Sequence, residues 1–164
     1  MQITVKADVS PIKKELEGLR VRLKDLSPVM KQVAQIVRTS VIRNFEVGGR
    51  PKWEPSQRAR KEGGMTLVKT ARLRNSITAR GYSDRAEVGT NVIYAAIHQL
   101  GGRTSPRVIK PKNAKALFWP GAKHPVKSVQ HPGSKIPARP FLMVQDEDWT
   151  EIKNVINDYL ARRK

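Results

Sequence analysis

Apolar residues along this chain fall into three stretches of helical period, separated by segments that lack one. In the first, Val9, Ile12, Leu16, Leu19, Leu23 and Leu26 recur at spacings of three and four, so one stripe of a helix is apolar. Ser10-Pro11 supplies its start, a capping serine followed by proline at the first helical position. Ser27-Pro28 repeats the signal; Met30, Val33, Val37, Val41 and Phe45 then mark a second helix, stopped by Gly48-Gly49. A third helix closes the chain. Asp146, Glu147 and Asp148 place negative charge at its N-terminus, Trp149, Ile152, Val155, Ile156, Tyr159 and Leu160 form its apolar face, and Arg162-Arg163-Lys164 suit its C-terminal end. The first two seams span too few heptads for a coiled coil and are broken by a proline, so core packing is the expectation for them.

Between and before these helices the period is different. Ile3, Val5 and Ala7 alternate with polar residues, which predicts a short strand and does not match a signal peptide. Arg50 to Met65 carries no period and reads as loop. Leu67, Leu73 and Ile77 predict a short helix running into an extended segment to Arg80; Gly81-Tyr82-Ser83-Asp84 then turns the chain into Arg85–Gly89, a β-hairpin. Val92 to Leu100 predicts another short helix, closed by Gly101-Gly102. The sum is an α+β fold, a small antiparallel sheet with three main helices and a long basic, proline-rich loop or arm. At 164 residues the chain is expected to form a single domain, 1–164, with the arm at 102–138 inside it.

Charge sharpens the picture of that arm. The chain carries +18, from 32 Lys plus Arg against 14 Asp plus Glu, which self-repels unless an anionic partner answers it. Nucleic acid, an anionic membrane face and an acidic protein surface all qualify by composition. No stretch approaches the roughly 18 apolar residues of a membrane span. Between Glu87 and Asp146 there is no acidic residue, whereas Arg103, Arg107, Lys110, Lys112, Lys115, Lys123, Lys127, Lys135 and Arg139 all fall there. Pro106, Pro111, Pro120, Pro125, Pro132, Pro137 and Pro140 exclude a continuous helix and disfavour a central strand. Phe118 and Trp119 lie among the lysines; they serve either as a stacking platform for nucleic-acid bases or as an anchor for the arm. The arm residues Arg103, Arg107, Lys110, Lys112, Lys115, Trp119, Lys123, Lys127 and Lys135 are therefore the candidate contacts to a neighbouring copy, to DNA or to an acidic partner.

Catalytic chemistry finds little support. The chain has no cysteine, which removes disulfides, thiolate nucleophiles and cysteine metal sites and fits folding in a cytoplasm. His98, His124 and His131 have no zinc spacing and no paired carboxylate. The glycine pairs lack the setting of a phosphate-binding loop. No cofactor, metal or small-molecule substrate is expected, and no enzyme activity.

Five phrases occur in order: Asn44-Phe45 with Gly49-Arg-Pro-Lys-Trp53; Leu67 through Ala71-Arg-Leu-Arg-Asn-Ser-Ile77; Val88-Gly-Thr-Asn91; Tyr94-Ala-Ala-Ile-His-Gln-Leu-Gly-Gly102; and Ile136-Pro-Ala-Arg-Pro-Phe-Leu142. Together they cover about two-thirds of the chain, and the ordered set resembles the virion morphogenesis proteins of Mu-like phages, a tail completion group. One departure is visible: the family pattern usually has glycine after the threonine, where this chain has Ala71 after Thr70, which puts a tight local turn in question. The resemblance implies a structural virion protein of the neck or upper tail, acting in tail completion or head–tail joining, found in the virion and, during assembly, in the host cytoplasm. Its motif positions here are Phe45, Trp53, Leu73, Ser76, Ile77, Gly89, Tyr94, His98, Gly101, Gly102, Pro137, Arg139, Pro140 and Phe141, with no catalytic residue among them. Each has a structural reading as well: Trp53 and Phe141 as core anchors, Gly89 and Gly101-Gly102 as positive-φ or close-approach sites, Pro137 and Pro140 as stiffeners.

The expected partners are further copies in a six-fold ring with contacts through residues 102–138, neighbouring neck and tail proteins, and packaged DNA in the lumen. The rival reading is a nucleic-acid-binding protein without catalytic activity; a nuclease using His98 stands third.

Overall fold

A computed structural model describes residues 9–161. The strand expected over residues 2–7 and the basic end at 162–164 lie outside the described residues. Among the described residues, six helices and three two-stranded antiparallel ladders make an α+β fold, divided into two compact units. One holds the described residues up to Val92 and from Phe141 onward; the other is Ile93–Pro140.

In the first unit, α1 (Ser10–Lys24) and α2 (Ser27–Val47) follow in series. Both serines sit one position inside the sequence-based boundary: Val9 and Leu26 are the cap residues, and neither helix has a side-chain cap. Asp25 Oδ1 instead accepts the Ser27 backbone N–H at 2.9 Å. α2 is the central element. Its buried stripe holds Val29, Val33, Val41 and Phe45, and it ends where Gly48 turns left-handed at φ 75°. A short helix, α3 (Gln57–Glu62), interrupts the stretch expected to be loop, capped by Ser56 Oγ accepting the Ala59 N–H at 3.1 Å. It has no buried residue, so no apolar period announces it.

After α4 (Arg72–Asn75), the hairpin pairs β1 (Thr78–Gly81) with β2 (Ala86–Gly89), Thr78 opposite Gly89 and Gly81 opposite Ala86. The hairpin lies on α2, and a Cβ added to Gly81 would come within 2.3 Å of the Lys31 backbone nitrogen. Gly89, read from sequence as a positive-φ or close-approach site, is neither: it is not among the positive-φ glycines, and nothing lies within 4 Å of an added Cβ. The close approach falls instead to Gly81, at the turn end of the other strand. The closing helix (Asp146–Ala161, α6 below) packs Ile152 with Val29 and Val33, with Val37, Val155 and Ile156 around them.

The second unit begins with α5 (Ala95–Leu100). Residues 102–138, expected as loop or arm, fold back on themselves as a paired ribbon. β3 (Gly102–Arg103) pairs with β6 (Lys135–Ile136), and β4 (Arg107–Ile109) with β5 (Val129–His131). Both ladders keep one register: 102 opposite 136, 103 opposite 135, 107 opposite 131 and 109 opposite 129. Thr104 N–H donates to the Ser134 carbonyl between them at 3.0 Å. The prolines are accommodated because each strand has one partner only, so a missing N–H breaks no central ladder.

Candidate partner-binding surfaces

The aromatic motif positions of the first unit meet in one place. Phe45 on α2 and Phe141 are fully buried, with ring centroids 5.2 Å apart, and the Trp53 ring meets Phe45 edge-on at 5.7 Å. Gly49 makes this possible: at φ 96°, an added Cβ would lie 2.5 Å from the indole. Around them runs a polar network. Arg50 donates from Nε to Asn44 Oδ1 (2.9 Å) and from a terminal nitrogen to Ser40 Oγ (2.7 Å), and it pairs with Glu147. Ser40 Oγ donates to Asp148 Oδ2 at 2.5 Å, and that carboxylate also accepts the Gln145 N–H at 2.7 Å. The network joins α2, the turn after it and the start of α6, so these polar groups serve packing.

Leu73 and Ile77 are buried. Ser76 Oγ donates to the Leu73 carbonyl (2.7 Å) and lies 2.6 Å from Thr90 Oγ1, linking α4 to the end of the hairpin. Ala71, where the family pattern has glycine, takes the left-handed conformation at φ 55° and precedes α4. The turn is kept, with alanine in it.

In the second unit, His98 meets Tyr94 edge-on at 5.9 Å, and its carbonyl accepts the Arg139 N–H at 2.7 Å. Burial holds the imidazole below its ordinary pKa, and the neighbouring Arg139 charge adds to the effect. Its Nδ1 is buried without a hydrogen-bond partner. Among the described residues no group of His, Cys, Asp or Glu could hold a metal ion. Gly101, at φ 74°, passes close to the segment 136–138: an added Cβ would sit 2.8 Å from Ala138 N. Gly102 opens the ribbon, Pro137 follows its last strand, and Pro140 ends the unit.

Three surfaces remain for partners. The first corrects the expectation that the α1 seam is core. α1 has no buried residue, and Val9, Ile12, Leu16 and Leu23 are exposed, Leu16 at 59%. The second, also in the first unit, is an apolar groove of about 440 Å³ whose walls include Met30, Val37, Val88, Met143, Trp149 and Ile156. Trp149 stands 51% exposed at it, although sequence assigns it to the helix face that packs inward. The third is the ribbon. Arg103, Arg107, Lys110, Lys112, Lys115, Lys123, Lys127 and Lys135 are all exposed, and Phe118 and Trp119 stand out at its closed end, 66% and 46% exposed. No sequence signal separates an apolar seam that packs at home from one left open, since both have the same period.

The phage virion morphogenesis family matches this chain over residues 7–161. The Mu-like prophage FluMu G protein 2 of Haemophilus influenzae is 35% identical over 144 residues, 88% of this chain and 85% of that protein. No solved structure matches. The fold is an α+β protein of virion morphogenesis; this chain belongs to the phage virion morphogenesis family. No helix among the described residues is long and apolar enough to cross a membrane.

Proposed function

We propose that this protein acts without catalysis as a ring component at the neck or upper tail, completing the tail or joining it to the head. The observation that carries the ring is the pair of open apolar surfaces on the first unit. An exposed seam on α1 and an apolar groove elsewhere on the same unit are not self-complementary, so each copy seats its seam in the groove of the next. Such head-to-tail contacts close into rings where the rotation from copy to copy divides a full turn, and give open filaments otherwise. Charge supports the pairing. α1 carries Lys13, Lys14, Arg20, Arg22 and Lys24 against Glu15 and Glu17, whereas α6, one wall of the groove, carries Asp146, Glu151 and Asp158 against Lys153, besides Glu147 and Asp148, which its own unit engages. Six copies would match the symmetry of a tail tube. Neck and tail proteins are then the neighbours above and below.

Two measurements test this. Leu16→Asp places a charge in the seam without touching any buried residue, so sedimentation should show the wild type as a closed oligomer and the variant as a folded monomer. A wild type that stays monomeric at high concentration rejects the ring. In phage lacking the gene, electron microscopy should show DNA-filled heads beside separate or abnormal tails; normal infectious particles would reject the structural role and favour the nucleic-acid-binding alternative.

A further inference from the structure

We propose that the ribbon formed by residues 102–136 is a binding site for duplex DNA, holding phosphates along its strands and a base step at its aromatic end. Charge sorting between the two units is the first ground. All the side-chain carboxylates of the chain lie outside residues 93–140, and there cations find partners: Arg20 with Glu17, Arg43 and Arg50 with Glu147, Arg60 with Glu54, Arg85 with Asp84 and Glu87. The eight exposed ribbon cations have none among the described residues. A carboxylate-free surface is unlike the mixed-sign borders of α1, where a protein surface of either sign can be met.

Register is the second ground. Arg103 stands directly opposite Lys135. Like charges placed opposite each other on a two-stranded ladder repel. The fold holds that repulsion in place, and an external polyanion relieves it. Farther along, residues 110–116 on one strand face 127–128 on the other, so Lys110, Lys112 and Lys115 are carried on a bulge opposite Lys127. Six of the eight cations are lysine, a point charge suited to phosphates more than to base edges.

The closed end is the third ground. After the Leu117–Val126 bridge come Phe118, Trp119 and Pro120, with the Ala122 N–H closing a turn onto the Trp119 carbonyl at 3.0 Å. Exposed aromatic and proline side chains at the end of a basic element are the means by which DNA-bending proteins enter a base step.

The inference goes beyond the ring and does not depend on it, because binding is read on the free protein and on the Leu16→Asp monomer alike. Anisotropy of a labelled duplex of about three helical turns, roughly 30 base pairs, is measured across salt concentrations. Replacing Lys110, Lys112 and Lys115 together by Gln should lower the slope of log K against log salt by about 0.9 for each phosphate that is no longer neutralised. The matched triple Lys61, Lys69 and Lys153→Gln removes the same charge from the other unit and should leave the slope nearly unchanged. Trp119→Ala should weaken binding about tenfold at every salt concentration, since stacking releases no counterions. Equal slope changes in the two triples would overturn the site in favour of diffuse charge. Competition by polyglutamate as effective as that by DNA would overturn it in favour of an acidic protein, and an unchanged affinity in Trp119→Ala would remove the aromatic contact.

Discussion

The side chain of Asn44, buried on α2, bridges two distant stretches of chain: its Nδ2 donates to the Phe141 carbonyl at 2.9 Å while its Oδ1 accepts from Arg50 Nε at 2.9 Å. Asn44→Leu keeps the volume and removes both bonds, one of them buried and one part-buried, and each lost buried hydrogen bond costs about 1–3 kcal/mol. Urea unfolding should show a loss of about 2–4 kcal/mol with an unchanged m value. A loss below about 0.5 kcal/mol would mean that the bridge does not hold Phe141 against the core.

Ala71 occupies a conformation in which a Cβ crowds the backbone, which costs about 1–2 kcal/mol for an L-residue. Ala71→Gly removes that cost and adds the chain entropy of glycine, about 0.5–1 kcal/mol. A net gain in stability of about 0.5–1 kcal/mol is expected in thermal melts. Destabilisation instead would show that the turn before α4 carries no left-handed strain.

Gly81 and Gly89 sit at opposite ends of the two hairpin strands and should respond in opposite ways. Alanine at Gly81 meets the Lys31 backbone and must push the hairpin off α2, at about 1–3 kcal/mol. Alanine at Gly89 meets open space and has ordinary φ, so it should be close to neutral. Parallel melts of the two variants make the comparison.

His98 binds its proton less readily folded than unfolded, because burial and Arg139 both disfavour the imidazolium. The unfolded chain then holds more protons just below the ordinary imidazole pKa, about 6.5. Its contribution to stability is therefore complete above that value and is lost as pH falls through the window down to the lower folded pKa. His98→Gln should flatten the stability profile in that window while leaving the profile above pH 7 parallel. An unchanged slope between pH 7 and 5 would show that the imidazole is solvated in both states.

Local pattern determined a large part of this protein. The three helical stretches, a hairpin turn close to the expected Gly81–Asp84 but falling at 82–85, the stop at Gly48 and the α+β class all follow from spacing and from residues whose backbone preferences act within a few positions. The ordered motifs pointed to the family by the same local information. Other features depended on which surfaces meet. Val33 and Leu16 have the same periodic signal, yet one is buried against Ile152 and the other is open, because only one seam finds a facing element. The proline-rich stretch from 102 to 136 carries no strand period, and its ladder exists because residues some thirty positions apart share one register. Asn44 and Arg50 stand in a motif and Asp148 at a helix start, but nothing local links them to one another or to Ser40; they form a network because α2 and α6 bring them within hydrogen-bonding distance. Periodicity reports that a side chain prefers to leave water, and tertiary structure decides what, if anything, takes its place.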